Sequence, residues 1–317
     1  MARKFYLPDS LVTYGVIFVL IVLSFYVAAQ FIEPAPPRSF KLAAGSKNGA
    51  YSAYARKFRE RLAAIDTNVE IIHSSGSFEN IRLLKDGKAD FAFVQSGLSV
   101  ALDQKTSELP LTSLGSMYFE PLWIFTSNNF GFETLRDFTG LKLSIGSQKS
   151  GTYHVAKKLL NASGVNDSNA TFFEIGGAEA ITALKNGDID VAFISAGVSS
   201  SIVKDFMDDP DIFLFSEDRA VAYSKNYPYL SHLTLPEGVL NLAENQPDRE
   251  INLLSSAAMI LAGPEAHPVL KTLMVQKAHT IFEGEGPYLQ TVDFPNGNYV
   301  DFPMAGEAER YYKYGPS

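Results

Sequence analysis

Residues 76–99 read GSFENIRLLKDGKADFAFVQSGLS, and residues 176–199 read GGAEAITALKNGDIDVAFISAGVS. Aligned without a gap at a shift of 100, the two stretches are identical at 11 of 24 positions. Chance similarity at one fixed shift rarely reaches this level, and self-similarity at a fixed period indicates a repeated structural unit. The sequence therefore predicts a duplicated fold that contains this stretch once in each half.

The similarity extends upstream, so the repeated unit is about 55 residues long. In each copy an apolar run ending in Gly-Ser is followed by a helix-period segment, a short β-rich run, a helix that starts after glycine, and a buried strand. These segments lie at 41–46, 50–64, 69–74, 76–87 and 90–95 in the first copy, and at 142–147, 152–162, 170–175, 176–187 and 190–195 in the second.

The repeated pattern is β-α-β-α-β, which predicts an α/β fold with two parallel sheets covered by helices. Residues 122–127 (LWIFTS) are predicted to lead from the first lobe to the second, and residues 252–263 to return. Sheets of this kind bind ligands beyond the carboxyl ends of their strands, at helix N-termini. A ligand site is therefore expected in a cleft between two similar lobes.

Composition excludes several classes of function. The 317-residue chain has a net charge of −8, which repels nucleic acid, and it contains no cysteine for disulfides, thiolate metal sites or nucleophilic catalysis. The five histidines show no metal-ligand spacing, and no nucleophile elbow or P-loop occurs. Aspartates at the helix–strand turns are predicted to be turn or capping residues rather than a catalytic pair: Asp86, Asp90, Asp188 and Asp190. No enzyme activity, cofactor or metal is expected.

The N-terminal region is predicted to anchor the chain in a membrane. Residues 11–32 carry no charge and are long enough to cross the hydrocarbon core as a helix. Arg3 and Lys4 precede them, which places the N-terminus in the cytoplasm. A cleaved signal peptide is the alternative interpretation, and both export the rest of the chain. Residues 33–39 form a proline-rich spacer.

Two loops, at residues 74–80 and 146–153, are the candidate binding elements, because they offer hydroxyls and backbone N–H groups at helix starts; residues 45–51 are the counterpart in lobe 1. Such groups favour a carboxylate or another anion, although residues of the same types also cap helices without binding anything. Strand-end side chains and a neighbouring tyrosine complete the set. The candidate ligand-binding residues are Gly45, Lys47, Tyr51, Ser75, Gly76, Ser77, Gln95, Tyr118, Ser147, Ser150, Gly151, Thr152 and Ser195.

Ordered motifs through most of the chain resemble the TAXI family, the solute receptors of TRAP-type secondary transporters. They include GSKNGAYSAYA at 45–55, the first copy of the opening stretch, DFTGLKLSIGSQKSGT at 137–152 and GDIDVAFISAG at 187–197. The later motifs AHPVL at 266–270 and DFPMAGEAERYYKYGP at 301–316 resemble the membrane-anchored branch of that family.

The resemblance implies a two-lobed periplasmic-binding-protein fold of type II-like topology, and a small organic acid or amino acid as ligand. It assigns the family's binding loops to 45–51, 75–77, Gln95 and 147–152. It also implies a TRAP-type permease as membrane partner and an inner-membrane, single-pass location with the binding domain in the periplasm. A sensor or scaffold that regulates a membrane partner without transport is the alternative.

The expected domain organisation has four parts. Residues 1–38 form the cytoplasmic N-terminus, anchor and spacer, residues 39–121 form lobe 1, and residues 122–250 form lobe 2. Residues 251–317 form the return crossover and a C-terminal segment that packs back on lobe 1.

Overall fold

The computed structural model describes residues 9–30, 35–47, 49–101, 111–128, 131–148, 150–198, 200–283 and 293–316. The chain divides into two compact units, Met1–Pro37 and Arg38–Ser317. The first unit contains helix α1 (Asp9–Gln30), on which Tyr14, Phe18 and Phe25 are exposed. Within the described ranges, no helix combines the length and the apolarity that crossing a membrane requires. The anchor expected over residues 11–32 is therefore not shown, and Arg3 and Lys4 lie outside the described residues.

The second unit is an α/β structure whose described strands join in one mixed sheet. The strands are β1 (Ser39–Ala43), β2 (Asn68–Ile72), β3 (Phe91–Gln95), β4 (Thr112–Thr126), β5 (Lys142–Ser144), β6 (Thr171–Phe173), β7 (Val191–Ser195), β8 (Phe213–Leu214), β9 (Ser231–Leu235) and β10 (Ile251–Ala262). The helices are α2 (Ala50–Ala63), α3 (Ser77–Lys85), α4 (Leu98–Ala101), α5 (Gly151–Ala162), α6 (Ala178–Lys185), α7 (Ser201–Met207), α8 (Ala220–Asn226), α9 (Pro268–Phe282) and α10 (Gly306–Tyr314), with a 3₁₀ turn at Leu135–Phe138.

The predicted β-α-β-α-β order is present twice. Lobe 1 has the parallel strand order β2-β1-β3, and lobe 2 has the parallel order β6-β5-β7. The last strand of each unit, FAFVQ or VAFIS, is almost completely buried, because a parallel strand is covered on both faces. Phe93 and Phe193 occupy the same position in the two copies, and both are fully buried.

The two copies also share a hydrogen bond that ties the first strand to the last. The Lys41 N–H donates to Asp90 Oδ2 at 2.7 Å, and the Lys142 N–H donates to Asp190 Oδ2 at 2.8 Å. Both aspartates also donate their own backbone N–H to the carbonyl of the same lysine. Asp90 and Asp190 therefore connect two strands of their lobe through side-chain hydrogen bonds, which is a structural role.

The lobes are joined by the two long strands β4 and β10, which pair with each other in antiparallel orientation. One end of β10 pairs with β3 of lobe 1, and the far end of β4 pairs with β7 of lobe 2. Both of these pairings are antiparallel, so the two parallel sheets run in opposite directions. Their carboxyl ends, at Gln95 and Ser195, consequently face each other across the middle of the β4–β10 pair, and this opens the predicted cleft there.

The C-terminal segment packs on the lobe 1 part of β4. The Tyr312 hydroxyl of α10 donates to the Leu114 carbonyl at 2.7 Å, and the Phe282 ring of α9 stacks on Tyr118 with centroids 5.6 Å apart. Asp301 Oδ2 accepts hydrogen bonds from the Gly97 and Ser99 N–H groups, at 3.0 and 2.9 Å. The expected boundary at residue 121 lies inside β4, and the exact lobe bounds stay a prediction.

Gly115 is the position of β4 that this C-terminal packing constrains most. Its φ is +110°, and a Cβ there would lie 2.6 Å from the Asn296 carbonyl oxygen and 2.9 Å from a Tyr312 ring carbon. We expect Gly115→Ala to lower the free energy of unfolding by about 2 kcal/mol or more, through backbone strain and displacement of the C-terminal segment. Urea denaturation of the purified protein would measure this loss.

Gly306→Ala is the matched control, because a Cβ at the start of α10 meets no atom within 4 Å. This variant is expected to be as stable as the parent or slightly more stable. Equal stability of the two alanine variants would contradict the proposed packing at Gly115.

Candidate functional site

A cavity of about 680 Å³ lies between the two lobes, where the carboxyl ends of their sheets face each other. Its volume falls in the range of small-molecule sites. Each lobe contributes the loop after its first strand and the start of its second repeat helix. The lining includes Gly45, Ser46, Gly49, Tyr51, Ser75, Gly76, Ser77, Gln95, Glu120, Gly146, Ser147, Ser150, Gly151, Thr152, Glu174, Gly176, Gly177, Glu179, Ser195, Gly197, Ser200 and Ser201.

Helix N-termini from both lobes open onto this cavity. The caps of α2, α3 and α6 are Gly49, Gly76 and Gly177, and none of them supplies a side-chain hydrogen bond to the first turn. The first N–H groups of a helix have no partner within the helix, and the macrodipole makes this end electropositive. The cavity walls are therefore suited to hold an anionic group.

The lobe 2 loop is folded tightly over the start of α5. Gly146 has a φ of +88°, and a Cβ there would lie 2.9 Å from Thr152 Cβ and 2.9 Å from Ser150 Oγ. Ser150 itself caps α5, since its Oγ accepts the Tyr153 N–H at 3.2 Å. The capping alternative considered for these residue types thus applies to Ser150.

Eleven of the thirteen predicted site residues line the cavity. That they contact a ligand stays a prediction. The two that do not line the cavity are Lys47, which is exposed, and Tyr118, which is buried behind the wall. Lys47 contributes its backbone carbonyl to an Arg56 hydrogen bond of 3.4 Å. Tyr118 is enclosed by aromatic rings, and its hydroxyl faces Glu120.

Gln95 connects the two lobes at the floor of the cavity. Its N–H donates to Ser77 Oγ at 3.0 Å, and its side-chain amide donates to Ser256 Oγ of β10 and, at 3.5 Å, to Ser195 Oγ. A Cβ on Gly151 would lie 1.6 Å from Gln95 Oε1, so a larger residue at the start of α5 would require the Gln95 side chain to move.

Glu120 is the functional candidate that sequence reasoning missed. Its carboxylate is only 7% exposed, with Oε2 accepting from the Tyr51 hydroxyl at 2.9 Å and Oε1 accepting from the Tyr118 hydroxyl at 3.2 Å. Burial raises the pKa of Glu120 to about 7, although the two hydroxyl hydrogen bonds lower it. The sequence signal that could have identified Glu120 is that it is the only charged residue among residues 111–126.

The charge of the cavity is unusual for a proposed anion site. Its described lining contains three carboxylates, Glu120, Glu174 and Glu179, and no lysine, arginine or histidine. Glu174 and Glu179 are exposed to solvent, whereas Glu120 is buried. The positive potential at the walls therefore comes from helix N-termini, and the floor carries a buried acid.

The lobes also touch beside the cavity. The Phe78 ring of α3 stacks on the His154 ring of α5, with centroids 3.9 Å apart and planes inclined by 25°. Burial lowers the pKa of His154, which favours the neutral imidazole. This apolar contact holds the two lobes together next to the site.

The buried acid predicts a pH-dependent stability. The folded-state pKa of Glu120, about 7, exceeds its ordinary value of 4.5, so folding favours the protonated form. The contribution of Glu120 to the free energy of unfolding therefore falls as pH rises from about 4.5 to about 7. Relative to a Glu120→Gln variant, the parent should lose about 2 to 3 kcal/mol of stability between pH 5 and pH 8.

Urea denaturation of both proteins at the two pH values measures this difference, because the other titrating groups are common to both. Glu70→Gln, at an exposed position of β2, is the control and should show no comparable change. An unchanged difference between parent and Glu120→Gln would mean that the Glu120 pKa is near its ordinary value.

Solved structures of low sequence identity superpose on this chain, one of them with a TM-score above 0.5. A protein from Bordetella bronchiseptica superposes with a TM-score of 0.52 over 78% of this chain and 72% of its own, at 17% identity. The periplasmic aliphatic sulphonate binding protein SsuA from Escherichia coli gives 0.47 over 78% and 68%, at 12% identity. The substrate binding protein of an amino acid ABC transporter gives 0.46 over 76% and 91%, at 11% identity.

Residues 42–262 match the model of the NMT1-like family. The match covers 221 of the 317 residues and includes both copies of the repeat, both crossing strands and every cavity loop. On this basis the chain belongs to the NMT1-like family, and its structure is a two-lobed α/β fold.

Proposed function

We propose that this protein is an extracytoplasmic solute receptor that captures a small carboxylate-bearing molecule between its two lobes. The observation that carries the proposal is the cavity between the lobes onto which helix N-termini of both lobes open. A carboxylate held there accepts N–H groups from lobe 1 and lobe 2 at once, so the bound solute favours the closed arrangement.

Contacts between the lobes support capture by closure. Gln95 of lobe 1 approaches Gly151 and Ser195 of lobe 2, and Phe78 stacks on His154. Closing the cavity removes water from the solute and strengthens its hydrogen bonds. The receptor needs no chemical step for this role.

The membrane partner proposed for the receptor is a permease of the TRAP type, and the solute is an organic acid or an amino acid. This finer assignment is supported by the motifs that resemble the TAXI family, including 45–55, 137–152 and 301–316. Residues 11–32 are proposed as a single-pass anchor in the inner membrane because they carry no charge. The binding domain would then lie in the periplasm.

Solute binding should stabilise the full-length protein against heat. A ligand at 100 times its dissociation constant adds about 2.7 kcal/mol, which raises the melting temperature by several degrees. We expect hits in a panel of amino acids, dicarboxylates and oxo acids. Ser147→Ala should weaken binding of a hit about 5- to 10-fold, because Ser147 is an exposed residue of the cavity lining and its hydroxyl is proposed to hydrogen-bond the solute.

Ser224→Ala, on α8 and outside the cavity, is the control and should bind with unchanged affinity. Absence of any thermal shift at millimolar concentrations across the panel would contradict the receptor proposal. That result would instead favour a sensor or scaffold that recognises a membrane protein.

The stack between the lobes should affect release of the solute. Phe78 does not line the cavity, so Phe78→Ala leaves direct contacts intact while removing an aromatic contact worth about 0.5 to 1.5 kcal/mol. We expect a 2- to 10-fold weaker affinity, expressed mainly as faster dissociation in stopped-flow measurements. Phe213→Ala, a partly exposed ring on β8 outside the cavity, should not change the rate. An unchanged rate in Phe78→Ala would show that the stack does not contribute to closure.

A further inference from the structure

Glu120 is a buried carboxylate at the floor of the cavity that no cation compensates within the described structure. Its hydrogen-bond partners are two neutral phenols, Tyr51 and Tyr118, and the described cavity lining contains no basic side chain. A buried carboxylate is costly to ionise unless it is paired with a positive charge. The raised pKa of Glu120 reflects this cost.

The two tyrosines that contact Glu120 are held in place by aromatic packing. Tyr51 stacks on Phe93 with centroids 5.2 Å apart, and Tyr118 is held between Tyr54 and Phe282. Both hydroxyls are thereby fixed on the carboxylate, one on each oxygen. Because each carboxylate oxygen has a second acceptor direction, the group retains the capacity to accept a donor from the cavity.

The cavity therefore has two poles. Helix N-termini at the walls favour a negative group, and the carboxylate at the floor favours a positive one. A dicarboxylate or an oxo acid satisfies only the first pole and brings a negative charge near Glu120. A zwitterion satisfies both, with its carboxylate on the helix starts and its ammonium on Glu120.

We propose that Glu120 receives the ammonium group of the solute, so that the site selects amino acids over organic acids of the same shape. This inference rests on the proposed receptor function and adds the residue that sets its specificity. An ammonium group would donate hydrogen bonds to the ionised carboxylate in place of those lost with its hydration water. It would also supply the positive charge that Glu120 otherwise lacks.

Matched ligand pairs test the inference on the unmodified full-length protein. Each pair differs only by an amine or a hydroxyl group at the same carbon: L-alanine with lactate, L-leucine with 2-hydroxy-4-methylpentanoate, and L-glutamate with 2-hydroxyglutarate. For a pair that binds, titration calorimetry at pH 8 should give the amine about 30-fold or greater tighter affinity.

The three outcomes separate the inference from the receptor proposal. Tighter binding of the amine supports both. Equal or tighter binding of the hydroxy acid leaves the receptor proposal intact and overturns the role of Glu120. Binding of neither member of any pair, nor of other acids, overturns both.

Glu120→Gln provides the second test, since the amide retains the shape of the side chain without its charge. It should bind the amine about 30-fold more weakly and bring the two members of a pair to similar affinity. Glu217→Gln is the matched control, because Glu217 is a buried carboxylate that accepts the Leu135 and Arg219 N–H groups outside the cavity. This control should keep the preference for the amine. If Glu120→Gln also kept the preference, Glu120 would be a structural residue only.

The pH dependence gives a readout that a structural role would not produce. The affinity of the unmodified protein for the amine should rise about tenfold from pH 6 to pH 8, as Glu120 ionises with its pKa of about 7. The titratable groups that face it are tyrosines, and the pKa values of Tyr51 and Tyr118 lie well above this range. The groups packed around Glu120 are Tyr51 and Tyr54 of α2, Tyr118 of β4, Ser256 of β10 and Phe282 of α9. An affinity independent of pH would contradict recognition by the carboxylate.

Discussion

The antiparallel pairing of β4 with β10 is the constraint on which the rest of this structure depends. Each parallel sheet ends against this pair, β3 on β10 and β7 on β4. Because the two attachments are antiparallel, the sheets point towards each other, and the loops at their carboxyl ends meet. The cavity is a direct consequence of strand direction, and side chains only decide what the cavity holds.

The repeat made the order of elements and the binding loops predictable, because two aligned copies of one pattern independently predict the same helices, strands and loops. Gln95 and Ser195 are strand ends in both copies, and the structure places both at the cavity. Glu120 was missed because it lies on a crossing strand that belongs to neither copy. Its burial and its hydrogen bonds to Tyr51 and Tyr118 arise from contacts between elements distant in sequence. The exposed position of Lys47 likewise depends on how its loop turns, which residue type alone does not determine.

The two copies agree in backbone and differ in the side chains that secure it. In lobe 1 the buried Asn80 donates to the Phe93 carbonyl at 2.7 Å, and its Oδ1 accepts the Ser74 hydroxyl. The equivalent position in lobe 2 is Ala180, which is buried among apolar side chains. Lobe 1 thus orients the loop before α3 with a buried polar network around Asn80. In lobe 2 the loop before α6 is held instead by the Ser144 hydroxyl, which donates to the Ile175 carbonyl at 2.8 Å.

The return of β10 into lobe 1 also determines when this protein can fold. β3 pairs with β1 on one side and with β10 on the other, and β10 is not made until lobe 2 has been synthesised. Lobe 1 therefore cannot complete its sheet on the ribosome while the chain is short, and its closing contact joins residues more than 150 positions apart. Long-range pairing of this kind slows folding, because the intervening loop must close first. The proposed export across a membrane requires an unfolded chain, and late completion of the lobe 1 sheet is compatible with that requirement.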